Sequence, residues 1–258
     1  MDVLHALLAV GSGGLVGFSL GLLGGGGSIL AVPLLLYVVG VQDPHIAIGT
    51  SALAVAANAI INLLPHAQAG HVRWSRASIF ALAGIVGAFA GSSLGKVVDG
   101  QHLLALFAVV MLVIAGLMQR AVRQTQGHAH ALDRPVLVRL VGVGLGAGSL
   151  SGFFGIGGGF LIVPGLILAC DMATIDAIGS SLVAVAAFGL ATSANYALSG
   201  LVDWQVAGIF LLGGGLGGWG GTLLAGRLAR RRTALNRIFG AVVASVALYI
   251  LARAWVSL

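Results

Sequence analysis

Charge is scarce in this sequence. Of 258 residues, 8% are Asp, Glu, Lys or Arg, whereas 59% are hydrophobic. Soluble domains carry about 25% charged residues, so this chain cannot cover a water-facing surface. The mean hydropathy of +1.07 agrees that lipid is the solvent for most of it. Cysteine is nearly absent, and Cys170 alone excludes an intrachain disulfide or a cysteine-based metal site. It reads as a small buried hydrophobe or a lipid contact. The first residues, Met1-Asp-Val-Leu-His-Ala, lack the basic region and cleavage site of a secretory signal, so the first apolar segment is expected to be retained. No charged residue clearly falls in the middle of a hydrophobic segment. Asp171 and Asp176 bracket a loop, and Lys96 ends a helix. This absence weighs against a relay of buried carboxylates. The pI near 10.7 does not point to nucleic acid, because the basic residues lie in short segments between apolar runs, where bilayer orientation requires them.

Glycine, by contrast, is abundant, and two blocks of it are nearly the same. Gly21-Leu-Leu-Gly-Gly-Gly-Gly-Ser-Ile-Leu-Ala-Val-Pro33 is echoed by Gly152-Phe-Phe-Gly-Ile-Gly-Gly-Gly-Phe-Leu-Ile-Val-Pro164. Glycine costs a helix about 1 kcal/mol per position relative to alanine, and proline removes a hydrogen bond. Each block therefore predicts a broken helix inside hydrophobic sequence. Apolar runs lie at about 3–23, 27–40, 46–65, 77–95, 102–119, 138–154, 159–170, 176–198, 205–226 and 238–257. A bilayer crossing needs roughly 20 residues. The runs 27–40 and 159–170 are too short, so each glycine-flanked pair reads as a re-entrant hairpin or as two shortened helices.

The likeness of the halves continues beyond the glycines. Ala47-Ile-Gly-Thr-Ser51 matches Ala177-Ile-Gly-Ser-Ser181, and Gly70-His-Val-Arg-Trp74 matches Gly200-Leu-Val-Asp-Trp204. Gly87-Ala-Phe-Ala-Gly-Ser92 matches Gly217-Gly-Trp-Gly-Gly-Thr222. The expected fold is an all-α polytopic membrane protein of two inverted repeats, 1–120 and 139–258, joined by a cytoplasmic linker, 121–138. Each repeat is a glycine-broken pair followed by three transmembrane helices, and that odd number of effective crossings inverts the second copy. Charge agrees. Eleven of the 13 Lys and Arg residues fall on one side, with Lys96 and Arg253 on the other. The positive-inside rule makes the arginine-rich side cytoplasmic and places both termini outside.

A polar solute in such a chain must be held by backbone groups, hydroxyls and amides. Where a helix breaks, free N–H groups and the positive dipole end of the next half-helix form an anion site. Gly24, Gly25, Gly26, Gly27 and Ser28 open one half-helix, and Gly155, Gly157, Gly158 and Gly159 open the other. The alternative reading is close helix packing through small residues. Thr50, Ser51, Ser180 and Ser181 follow in the first turns of the next segments, where they can cap, bond an earlier carbonyl or face a ligand. Asn58, Asn62 and Asn195 lie further along; interhelical hydrogen bonding and ligand contact are both open to them. Gly87 and Gly91, with Gly213, Gly217 and Gly221, have the spacing of helix contacts. Trp74 and Trp204 read as interfacial anchors. Gly91-Ser-Ser-Leu-Gly95 matches a nucleophile-elbow pattern but lies in a membrane helix, so it carries no catalytic expectation. His128 and His130 lack a third metal ligand nearby.

The duplicated Gly21–Pro33 and Gly152–Pro164 blocks, with Ile48-Gly-Thr-Ser51 and Ile178-Gly-Ser-Ser181, resemble the sulfite exporter TauE/SafE family, also called toluene-sulfonate uptake permeases. The resemblance covers essentially the whole chain. It implies a multi-pass permease of a bacterial-type inner membrane, carrying small sulfur-containing anions such as sulfite, sulfonates, sulfoacetate or thiosulfate. The residues themselves offer no base, metal cluster or credible nucleophile environment, so no catalytic residue, metal or cofactor is expected; the expected partners are the anion and the lipid bilayer, not nucleic acid, with a homo-oligomer possible. A passive anion channel is the alternative, and an intramembrane enzyme the remotest reading. The copies differ where Ser28 faces Gly159 and Asn58 faces Phe188, so the half-sites are expected to make unequal contacts.

Overall fold

The computed structural model describes residues 2–119, 132–228 and 232–257, and every regular element among them is helical. Helix α1 (Val3–Leu23) runs directly into a 3-10 helix (Gly24–Leu30), a single turn α2 (Ala31–Leu34) and a π-helical stretch (Leu35–Val39). Helices α3 (Pro44–Gln68), α4 (Trp74–Gly95) and α5 (Gly100–Gln119) follow. The second half contains α6 (Arg134–Phe154), α7 (Gly159–Cys170), α8 (Thr174–Ala197), α9 (Trp204–Leu228) and α10 (Arg232–Ser257). Six helices, α1, α3, α4, α6, α8 and α9, are long and apolar enough to cross a bilayer. The reading made on His128 and His130 lies outside the described residues, as do Arg120, Arg123, Arg230 and Arg231, four of the eleven basic residues counted on the arginine-rich side.

Helix ends follow local chemistry. Asp43 caps α3 by accepting the His45 backbone N–H at 2.7 Å, and Pro44 takes the first helical position, where its missing N–H costs nothing. The π stretch stops at Gly40, which adopts φ 84°. Trp74 and Trp204 open α4 and α9 and are both exposed.

The glycine-flanked pairs differ from expectation in one respect. Their first members are full-length: α1 and α6 each have 21 residues, about 31 Å of rise. Only the return arms are short, with 12 residues in α7. The reason lies in packing, because three glycines in each of α1 and α6 are where another helix backbone touches. Gly13, Gly17 and Gly21 abut the backbone of Phe210, Gly214 and Gly218 in α9. In step with them, Gly144, Gly148 and Gly152 abut Phe80, Gly84 and Ala88 in α4. A Cβ at any of these six glycines would overlap the facing main chain. Residue numbers rise together along both contacts, so α1 runs parallel to α9 and α4 parallel to α6.

The remaining pairings have the same exchange symmetry. α3 packs on α8, α5 on α10, α4 on α8 and α3 on α9. Swapping α1 with α6, α3 with α8, α4 with α9 and α5 with α10 leaves this pattern unchanged. The central pair is α3 and α8, the two most buried of the spanning helices.

Packing separates glycines that are required from glycines that are incidental. Gly148→Ala is expected to lower thermal stability by the equivalent of about 1–3 kcal/mol of overpacking. Gly146→Ala, with open space at its Cβ position, should gain up to about 1 kcal/mol of helix propensity. Melting of the two purified variants in detergent checks this.

Candidate functional site

The second glycine cluster forms a true break. Gly155 ends α6 with φ 67°, and Gly157 and Gly158 follow at 64° and 63°. These left-handed conformations suit glycine because it has no Cβ to clash, and three within four residues stop a helix. Gly158 is the N-cap of α7, and its carbonyl accepts the N–H groups of Leu161 and Ile162 at 2.9 and 3.1 Å. The earlier N–H groups of this helix end lack intrahelical carbonyl partners.

The surroundings of the break are neutral. Gly155 lies against Ile48, and a Cβ on Gly157 would come within 2.9 Å of Val55 and 3.2 Å of Val185. Those valines sit near the middles of α3 and α8, so the turn is held at mid-depth. Gly158 lies against Ser151, whose buried hydroxyl has no protein partner. Gly159 begins α7. The Ser51 hydroxyl donates to the Ile48 carbonyl at 2.9 Å and also lies 3.2 Å from the Gly155 carbonyl, joining α3 to the break.

The first cluster has a different form. Gly24, Gly25, Gly26, Gly27 and Ser28 are wound into the 3-10 helix, which requires right-handed dihedrals. Gly27 lies against Ser19 and Leu20 of α1, and Ser28 is fully buried. The 3-10 helix packs on α7 and α8.

The hydroxyls divide into two groups. Ser51 and Ser181 bond carbonyls three residues earlier in their own helices, Ser181 to Ile178 at 2.7 Å. Thr50 and Ser180 instead reach the opposite half. Thr50 accepts the Asp203 N–H, and Ser180 accepts the Arg73 N–H, each at 2.9 Å. These two hydroxyls hold the loops that open α9 and α4. Beside the second of them, Arg73 contacts Asp176 with Nε and Nη2 each 2.8 Å from the same carboxylate oxygen. This link between halves escaped sequence reading, since nothing local joins residues 103 positions apart.

Asn58 lies one turn beyond Val55 on α3. It is fully buried against Gly214, and neither atom of its amide has a hydrogen-bond partner. Asn62, a turn further on, donates to the Asn58 carbonyl at 2.9 Å and sits beside Gly21 and Gly218. At the position equivalent to Asn58, Phe188 presses on Gly84. Asn195 is elsewhere, ten residues beyond Val185 and thus about 15 Å along α8. Its amide bonds Ser92 and Ser93 at 2.6 and 2.9 Å, and its carbonyl oxygens receive Lys96. Among the described residues, no three His, Cys, Asp or Glu side chains gather to hold a metal ion.

Residues 9–250 match the family described as sulfite exporter TauE/SafE, and the chain belongs to that family. A probable membrane transporter protein of Xylella fastidiosa is 56% identical over 260 residues, spanning all of this chain and 99% of its own. The probable membrane transporter protein YunE of Bacillus subtilis is 28% identical, across 80% of this chain and 83% of its own. No solved structure matches.

An unpartnered buried amide is costly, by about 1–3 kcal/mol. Asn58→Leu, close in volume and without polar atoms, is expected to raise the melting temperature of the purified protein while lowering solute flux. A stability loss would show that the amide has a structural partner.

Proposed function

We propose that this TauE/SafE family member is a secondary carrier of small sulfur-containing anions, among them sulfite, sulfonates, sulfoacetate and thiosulfate. The observation that carries the reading is the left-handed turn Gly155–Gly158, lodged at mid-depth between α3 and α8 in neutral surroundings. The N–H groups at the start of α7, glycine backbone that a ligand can approach closely, and the Ser151 and Asn58 side chains supply donors without a permanent charge, while Ser51, its proton spent on backbone carbonyls, ties α3 to the break. A fixed charge would bind an oxyanion more tightly but would slow its release. Gly24–Ser28, Thr50, Ser180, Ser181 and Asn195 belong to the proposed set at greater remove, the 3-10 segment as a facing wall and the others as supports of the helices around it.

Alternating access fits the helix directions. Gly40 returns the chain to the level of His5, so α3 starts beside the start of α1 and runs with it. The five-residue turn after α3 reverses α4, and α6 runs parallel to α4. Hence α6 opposes α1, which supports reading the halves as inverted repeats that exchange conformations around a central site. With the arginine-rich ends cytoplasmic, both termini face the outside of a bacterial-type inner membrane. A passive anion channel through the same path is the second reading. Nothing in these neutral surroundings favours an intramembrane enzyme, because no nucleophile is paired with a base.

Reconstitution into liposomes tests the proposal. Saturable counterflow of labelled sulfite or sulfoacetate is expected, and Gly157→Val, strained at φ 64° and crowded against Val55, should abolish it, with melting in detergent checking that the variant still folds. Conductance without exchange would instead establish the channel, and unchanged flux in Gly157→Val would remove the turn from the site.

A further inference from the structure

A second polar region lies at the end of the helices that carries the N-terminus. There a cavity of about 1210 Å³ is lined by the loop before α3, the loop between α4 and α5, and the last turns of α10. The charged side chains facing it are Asp43, Lys96, Asp99 and Arg253, together with His45. Among the described residues, Lys96 and Arg253 are the Lys and Arg side chains at this end, and both line the cavity.

These charges are unequally compensated. Asp43 accepts the His45 N–H of α3, and Asp99 accepts the N–H groups of Gln101 and His102 of α5 at 2.9 and 3.3 Å. Each carboxylate thus sits on a helix N-terminus, which carries roughly half a positive charge. Those backbone bonds hold the Asp99 carboxyl below its usual range. Lys96 spends its donors on neutral acceptors: the Asn195 backbone and side-chain oxygens at 3.1 and 2.8 Å, and the Ser199 hydroxyl at 2.9 Å. The Arg253 guanidinium lies over two aromatic rings, 5.8 Å from the Tyr37 ring centre and 5.9 Å from that of Tyr249. The two rings meet edge-on at 5.3 Å. No described residue hydrogen-bonds this guanidinium, so its N–H edge is available to a ligand. The balance is positive, with two cations against two carboxylates that helix ends already offset.

Position completes the argument. His45 lines the cavity and has a buried Nδ1 without a partner. Ile48 and Ser51, which touch Gly155, follow at three-residue steps on the same helix. One helix, α3, thus carries both a wall residue of the cavity and, one to two turns on, the residues that touch the break.

We propose that this cavity is an anion-gathering vestibule, in which Arg253, clasped by Tyr37 and Tyr249, draws small oxyanions toward the turn at Gly155. The link to transport rests on the carrier reading above, whereas the anion preference of the cavity does not. Val97 is exposed and lines the cavity, so Val97→Cys in a Cys170→Ser background reports the local potential. Sulfonate-bearing and trimethylammonium-bearing methanethiosulfonates are the probes. Relative to a free thiol, the anionic reagent should be favoured by about tenfold. That preference should fall several-fold in Arg253→Gln, be largely kept in Arg253→Lys, and flatten in high salt. A rate ratio unchanged by Arg253→Gln overturns the vestibule, whether or not the protein transports anything. In liposomes, Arg253→Gln should raise KM for sulfite several-fold with Vmax kept. An altered thiol ratio with unaltered KM would overturn the vestibule's place on the transport path.

Discussion

Close approach between helix backbones is the constraint on which this fold depends. Lipid tails are as apolar as leucine, so burying side chains gives membrane helices little drive to associate; tight packing must supply it. Here Gly17 meets Gly214 and Gly148 meets Gly84 with main chain against main chain. Both contacts join one half of the chain to the other. Neither half can form its interface alone, because α1 finds its partner in α9 and α4 finds its partner in α6. The exchange also leaves α3 and α8 as the shared centre, where the break at Gly155–Gly158 is lodged.

Polarity follows from the same constraint. With the helices so close, few polar atoms fit inside, and most that do are spent on the backbone. Ser51 and Ser181 bond their own helices, and Thr50 and Ser180 bond loops of the other half. Among the exceptions, buried without partners, are Thr192 and Tyr196 on α8, and Asn58 and Ser151 closer to the break. Proteins tolerate unsatisfied buried groups where function needs them. Charge is displaced to the rims: Arg73 with Asp176 at one end, and Lys96 and Arg253 around the cavity at the other. A neutral interior between charged rims is the arrangement on which the proposed carrier reading rests.

Much of the fold was legible from hydropathy and glycine spacing. Apolar runs such as 77–95 and 205–226 needed only extension at their ends to become α4 and α9, since interfacial turns add helix beyond the hydrophobic core. The run 3–23 became α1 unchanged, but that α1 and α6 would be full-length members of their pairs was less legible. A glycine in sequence carries the same penalty whether it breaks a helix or admits a neighbour, and only the neighbour distinguishes the two. The glycine clusters show the same limit. Gly24–Gly27 and Gly155–Gly158 look alike, yet one is wound into a 3-10 helix and the other into left-handed turns.

The sequence by itself determined the class of the protein, the order of its helices and its family, because hydrophobicity, spacing and motif are written locally. It also marked the glycine blocks, the hydroxyls that follow them and Asn58 as residues to watch. Tertiary structure decided which of these meet. It placed Ser51 on Gly155, pressed Asn58 against Gly214, moved Asn195 to Lys96 and paired Arg73 with Asp176. Those outcomes depend on contacts between residues about 100 or more positions apart, set by helix register across the two halves. No local pattern encodes that register, since a helix shifted by one turn presents the same composition to a different neighbour.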